Sequence, residues 1–539
     1  MPISGETKNK QSKTLVRGVF VLMPAMLIAK IIGLFYKIPL LSVVGVTGMA
    51  YFLSAYHIYA LLFVLCAAGL PTALSLCVSE SIAAGKNPGR ALWLSLGLFL
   101  SLGALFGTLL FSFSPLIANA IFQKDAAECL AVIAPALLLG AFTGAVKGYF
   151  QGRQNMLPTA VSEVLEAAGK LGFGLFFAIR MAATGAPSHK VAAAAVAGIP
   201  AGMALSAAFL LLCLLLFRDT AVYTQPPSHS GAIFARIFRV VLPVTVGAAV
   251  MGAVTLIDTA LIPGRLQALG YAPEAANLLY SCYGNLAVPL YNLVPTLLSP
   301  ITLTFVPILK SAVTRGDRTA AGEALSSAFR LVTLFAVPAA LGLSVFAAPV
   351  LSFLFRGQSD AVALAAPMLS VLSLSVLPAV LVAFTAGALQ AAGKPVLPVV
   401  SLWIGALVKL TAEWILLSLP RVQIYGAPIS TLLCHLTVLT IQGICLSRIL
   451  PTRAVCSLFR PFAAAAVSVG IGGGVYILLS KLWGAGNWLL PLTLFLVVLL
   501  YLPLSFLFRA FQRTDLLSLP CGERIADFLS KHTGKRVGA

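Results

Sequence analysis

Eight ionisable residues stand inside long apolar stretches of this 539-residue chain: Lys30, Lys37, Lys170, Lys409, Glu163, Glu166, Asp258 and Glu413. An uncompensated charge at mid-membrane costs about 2.5–3.5 kcal/mol on insertion scales, so such groups face a cavity or one another. Glu163, Glu166 and Lys170 share one helical face by i, i+3 and i+4 spacing, and Lys409 and Glu413 repeat the i, i+4 pairing further along. Glu166–Lys170 and Lys409–Glu413 therefore read equally as intrahelical ion pairs that make insertion tolerable and as groups that meet a ligand. Lys30 and Lys37 lie seven residues apart on one face, with no carboxylate neighbour in their helix. Lys37, near the end of its stretch, can instead snorkel to the surface, whereas Lys30 lies deeper. Asp258 is a candidate partner for Lys30, or a carboxylate that reaches water near a helix end. Intramembrane lysines that roughly balance the acids suit an anionic ligand better than a cationic one.

Sixty per cent hydrophobic residues, 10% charged residues and a mean hydropathy of +0.99 exclude a soluble domain, in which about a quarter of residues are charged. The composition predicts an all-α polytopic membrane protein. The apolar run from Leu15 to beyond Val43 is longer than a signal-peptide core and reads as an uncleaved first span. Runs of about 20 apolar residues predict fourteen transmembrane helices, the first near 16–42 and the last near 487–508. With both tails on the cytoplasmic side, the inner segments collect 25 of the 36 Lys and Arg residues, the outer segments 7, and the spans 4. This is the asymmetry of the positive-inside rule. It accounts for the net charge of +20 without nucleic acid, since no basic stripe interleaves with aromatics.

The spans repeat. Gln151–Lys170, QGRQNMLPTAVSEVLEAAGK, returns in degenerate form at Gln390–Lys409, QAAGKPVLPVVSLWIGALVK. In each copy a polar turn leads to a proline, Pro158 or Pro398, and then to a lysine about three helical turns on. Two parallel six-helix lobes follow, residues 1–225 and 226–452, around a central cavity, with an added helix pair at 453–510 and a basic cytoplasmic tail at 511–539. Parallel repeats place a substrate path at the lobe interface. Gly140, Gly144, Gly148 and Gly152 form a small-residue face for close helix packing. No Gly-Lys pair has the remaining residues of a phosphate loop, and the cysteines and histidines are scattered, so neither a metal nor another cofactor is expected. Short outer loops and the lack of a soluble domain argue against a membrane-embedded glycan-assembly enzyme.

The segment Lys30-Ile-Ile-Gly33-Leu-Phe-Tyr-Lys37, the turn Gly148-Tyr-Phe-Gln-Gly-Arg-Gln-Asn-Met-Leu-Pro158-Thr, and Leu256-Ile-Asp258 followed by Leu266 after Ile-Pro-Gly-Arg resemble the polysaccharide-transport branch of the multidrug/oligosaccharidyl-lipid/polysaccharide exporter superfamily. Within it, the chain is similar to the group of stage V sporulation protein B and the MurJ-type lipid II flippases. The resemblance implies a flippase of a bacterial cytoplasmic membrane, carrying an undecaprenyl-pyrophosphate-linked saccharide by alternating access. Lys30, Lys37, Lys170 and Lys409 would then meet the pyrophosphate, with Glu163, Glu166, Asp258 and Glu413 as supporting ion pairs or coupling groups. Membrane lipids and cell-wall synthesis enzymes are the implied partners, and the added helix pair, with Gly470, Gly472, Gly473 and Gly474, would form a lipid-tail groove. The resembled flippases carry Arg-Asp where this chain has Tyr36-Lys37. A cation-coupled multidrug exporter has the same two-lobe plan and is the alternative.

Overall fold

The computed structural model describes residues 5–67, 69–217, 223, 230–449, 459–484 and 488–508. The Lys30 side chain and the tail at 511–539 lie outside the described residues. Among the described residues all regular structure is helical. The chain divides into two compact units, Met1–Ser281 and Cys282–Ala539.

The first unit contains α1 (Gly5–Ala67), α2 (Leu70–Ala83), α3 (Gly89–Ser112), α4 (Ser114–Ala120), α5 (Ala127–Ile133), α6 (Pro135–Gly152), α7 (Leu157–Ala183), α8 (Ser188–Val196), α9 (Gly198–Leu216), α10 (Ser230–Ala268) and α11 (Pro273–Ser281). The first expected span and the start of the second, expected near 50–79, fall within α1, which breaks at Gly45. Its φ of 77° lies in the left-handed region, which costs a side-chain-bearing residue but not glycine. By contact, α10 and α11 belong to this unit, beyond the 225/226 division that the repeat suggests.

The second unit opens with a π-helical segment, Cys282–Ala287. It continues through α12 (Val288–Thr314), α13 (Arg318–Val345), α14 (Ala347–Leu354), α15 (Ser359–Ser373), α16 (Val376–Ala391), α17 (Val396–Leu417), α18 (Gly426–Ile449), α19 (Phe459–Trp483) and α20 (Leu489–Leu507). The internal packing of the two units matches: α6 meets α2, α3 and α9 as α16 meets α12, α13 and α18, and α7 packs on α9 as α17 packs on α18. The recurring proline turn thus opens the same helix in each unit, with Pro158 at the start of α7 and Pro398 near the start of α17. Proline suits a first helical turn, where its missing N–H would have no partner.

Nine helical stretches among the described residues are long and apolar enough to cross a membrane, or ten with the bent pair α15–α16, which meets at 43°. Helix α7, with 27 residues, is also long enough at 1.5 Å per residue. It carries Glu163, Glu166, Lys170 and Arg180, so its polar face has to be covered by protein. The glycine ladder does the packing expected of it. A Cβ at Gly148 would lie 2.8 Å from the Pro71 backbone, and one at Gly152 would lie 2.7 Å from the Ser75 carbonyl, which lets α6 approach α2 closely.

Candidate functional site

The turn between α6 and α7 folds back through Gln154, whose φ is 59°, and brings the last turns of α6 against the first turns of α7. Lys147 Nζ of α6 lies 2.8 Å from Glu163 Oε1 and 3.3 Å from Glu166 Oε2. The two carboxylates therefore pair across the hairpin with Lys147 and not along the helix with Lys170. The positive-inside count includes Lys147 among the 25 cations of the inner segments. It is instead a buried cation inside α6, and its spacing from Glu163 and Glu166 across the Pro158 turn was the available signal.

Lys170 makes no ion pair among the described residues. Its ammonium lies over the Tyr56 ring, 5.6 Å from the centroid, where the ring quadrupole attracts a cation. Lys37 is partly buried, and the Lys170 charge is close enough to act on it. Tyr36, next to Lys37, is buried and donates to the Ala195 carbonyl at 3.4 Å, which fixes this turn of α1 against the end of α8. The structure thus sets Lys37 and Lys170 together on the α1–α7 contact. The three-residue cluster of Lys147, Glu163 and Glu166 lies nearer the start of α7.

Helix α7 is held from behind by α9. Gly169 and Gly174 oppose Gly202 and Gly198, and a Cβ at Gly202 would fall 2.5 Å from the Lys170 backbone nitrogen and 2.7 Å from the Glu166 carbonyl. The backbone beneath both ionisable positions is therefore in direct contact with its neighbour.

In the second unit Lys409 Nζ lies 3.8 Å from Glu413 Oε2, with side-chain exposures of 3% and 0%. Ser430 Oγ donates to the same carboxylate oxygen at 3.1 Å. This is the intrahelical ion-pair arrangement, closed off from solvent. Tyr291 and His435, rings 6.3 Å apart, lie within reach of the Lys409 charge. Asp258 is partly buried on α10, and its suggested pairing with Lys30 falls outside the described residues. Of the four C-terminal glycines, Gly472 packs on Val497 and Phe346 and Gly473 on Val345, while Gly470 and Gly474 face open space. No cluster of three metal-ligating side chains occurs among the described residues.

Residues 15–314, more than half of the chain, match the family described as Polysaccharide biosynthesis protein. The chain belongs to that family. Residues 285–415 also match the MatE family, and the chain is a multi-pass membrane transporter of the exporter superfamily that joins the two. It is 24% identical over 457 residues to stage V sporulation protein B of Bacillus subtilis, covering 81% of this chain and 85% of that protein. It is 27% identical over 467 residues to the lipid II flippase MurJ of the same organism, covering 81% and 83%. A solved MurJ structure in an inward closed conformation superposes with a TM-score of 0.68 at 14% identity, over 91% of this chain and 98% of that one. An inward-facing multidrug transporter of the MATE family superposes at 0.67 and 15% identity, over 78% and 95%. The two solved structures share the fold and do not separate the two kinds of cargo.

Proposed function

We propose that this protein is a flippase that carries an undecaprenyl-pyrophosphate-linked saccharide, lipid II or a related cell-wall precursor, to the outer leaflet of a bacterial cytoplasmic membrane by alternating access. The observation that carries this reading is the nearness of Lys37 to Lys170 on the α1–α7 contact, close enough for one charge to act on the other. An anion on that contact would be attracted by both ammonium groups, and a pyrophosphate supplies two or more negative charges on one small group. Lys30, one helical heptad before Lys37, would extend the same cationic face. Lys409 serves instead as a buried partner of Glu413. The fourteen-span plan with cytoplasmic termini, and a lipid-tail groove at α19 and α20, belong to this proposal. A dianion moving outward gains about 2.3 kcal/mol per charge per 100 mV of inside-negative potential, which supplies direction without nucleotide hydrolysis.

The test is the leaflet accessibility of lipid II in cells depleted of their own flippase and supplied with this protein, as wild type, Lys37→Gln or Lys170→Gln. Outer-leaflet lipid II restored by the wild type and lost with either substitution is the expected result. Full restoration by both variants, with normal insertion, would overturn the cationic site. The MatE match over 285–415 favours multidrug export as the second reading. A cationic drug would be repelled by Lys37 and Lys170, so protection of cells against such drugs without lipid II movement would decide for it.

A further inference from the structure

Beside its contact with α9, α7 carries a groove of about 560 Å³ that no ionisable side chain lines. Gly169, Gly172, Phe173, Phe176 and Phe177 line it together with Leu205 of α9. The sequence makes this shape locally. Gly169 has no side chain because α9 lies against it, a Cβ there falling 2.8 Å from the Gly202 Cα. Gly172 is different, since a Cβ there would meet no atom within 4 Å. It leaves a gap beside three aromatic rings. Phe173 and Phe177 stack with centroids 6.1 Å apart, and Phe176 meets Phe177 edge-on at 5.7 Å. Phe173, Phe176 and Leu205 are exposed. In a membrane protein a gap of this kind gives water nothing to hydrogen-bond, so a hydrocarbon chain is what fills it.

A cation stands at the edge of this groove. Gly172, Phe176 and Arg180 follow at four-residue spacing and share one face of α7. The Arg180 guanidinium carbon lies 5.8 Å from the Phe176 ring centroid. Arg180 is exposed and makes no ion pair among the described residues. The connection 184–187 leads into α8 and brings Lys190 to the same end of the unit. Between Glu166 and Asp219 the sequence contains no acid. From Gly169 to Arg180 the helix rises about 17 Å, and one leaflet of the hydrocarbon core is about 15 Å deep. The groove and its cation therefore match a single leaflet, with the charge at headgroup level.

We propose that this groove is a binding site for one anionic phospholipid of the surrounding leaflet, with an acyl chain along Gly172 and the phenylalanines and the headgroup phosphate at Arg180. The guanidinium suits a phosphate, because its planar fork offers two parallel N–H donors. The lack of acids around Arg180 and Lys190 favours a headgroup of net negative charge over a zwitterionic one. The volume falls among the sites of about 300–1,000 Å³ that hold one small ligand, and the leaflet-deep length matches an acyl chain, whereas an undecaprenyl tail is far longer. Lys170, on the same helix, lies over Tyr56 of α1 and takes no part.

The test uses the full chain in phosphatidylcholine nanodiscs containing a small fraction of phosphatidylglycerol with a photoactivatable diazirine in its acyl chain. After irradiation, mass spectrometry maps the labelled residues. Label on residues 169–177 and on Leu205 is expected, and unlabelled phosphatidylglycerol should displace it. The same diazirine chain on phosphatidylcholine should label this stretch no more than it labels the exposed Leu407 and Trp414 of α17. Arg180→Gln should lower the phosphatidylglycerol label about fivefold relative to α17, the effect of one basic residue at a lipid surface. Gly172→Leu places a side chain in open space and should remove the label while insertion and thermal unfolding stay those of wild type. Equal labelling by the two probes, or unchanged labelling in either variant, would mean bulk lipid only and would overturn the proposal. Displacement by undecaprenyl phosphate where phosphatidylglycerol does not compete would also overturn it, assigning the groove to a prenyl tail. None of these readings depends on transport of the lipid-linked cargo.

Discussion

Replacing Lys409 with methionine keeps the length of the side chain and removes its charge, leaving Glu413, with 0% side-chain exposure, to carry a negative charge inside the second unit. Two unit charges about 4 Å apart are worth about 4 kcal/mol at an effective dielectric of 20. Removing one partner of a buried pair costs about 3–5 kcal/mol. Lys409 and Glu413 are 3.8 Å apart, beyond an ideal hydrogen bond, Ser430 still donates to the carboxylate, and the acid can escape part of the loss by taking up a proton. The expected destabilisation of Lys409→Met is therefore about 3 kcal/mol. The double variant Lys409→Met/Glu413→Met leaves no buried charge, and apolar replacement of buried pairs is often neutral or stabilising by about 1–4 kcal/mol. It should recover most of the loss. Denaturant unfolding of the purified protein in a fixed detergent, run as a double-mutant cycle, measures the coupling directly. A single variant within about 0.5 kcal/mol of wild type, or a double variant whose loss equals the sum of the two singles, would refute the buried ion pair.

Further outcomes follow from other contacts. Lys147→Met should destabilise the first unit by about 2 kcal/mol, less than a fully buried pair would lose, because the Glu163 side chain is 36% exposed; the same unfolding assay reads it. Gly202→Val drives a side chain into the backbone of α7 at Lys170 and Glu166, and over-packing of this kind costs about 1–3 kcal/mol; cargo movement should fall along with the melting temperature. Thr385 donates to Gln442 Oε1 at 2.6 Å, and Gln442 Nε2 donates to Ser401 at 2.8 Å. Thr385→Val leaves that buried oxygen without its donor, at a cost of about 1–3 kcal/mol. Asp317 caps α13, accepting from the Ala320 N–H at 3.0 Å and the Thr319 hydroxyl at 2.7 Å. These bonds hold its carboxyl below the usual carboxylate range. Its contribution is thus complete above the ordinary carboxylate pKa and fades as pH falls through the lowered one, and Asp317→Asn should flatten acid unfolding in that window.

Fold class and repeat were legible because hydropathy and proline placement act locally. A run of apolar residues has few ways to exist outside a membrane, and Pro158 and Pro398 mark helix starts wherever they fall. The glycine ladder of α6 was legible for the same reason, since four-residue spacing alone defines a face. Lys409–Glu413 also followed from spacing, both partners being on one helix. The Lys147 cluster did not, because spacing along α7 offers Lys170 as a partner for Glu166 while the hairpin supplies a closer one from α6. Nor did the proximity of Lys37 to Lys170, which are separated by more than a hundred residues and are joined only by packing.

The glycine contacts between α7 and α9 leave so little space that neither helix can slide or tilt without lifting its partner, whereas α1 presents larger side chains to α7 across the Tyr56 and Lys170 positions. Lys37 and Lys170 lie on the other seam of α7, where the Tyr36 side chain of α1 also packs on Gly174. Under the proposed function, a rocking of α1 against α7 would change the distance between the two ammonium groups, and with it the strength of their hold on an anion. Grip and release would be the same movement.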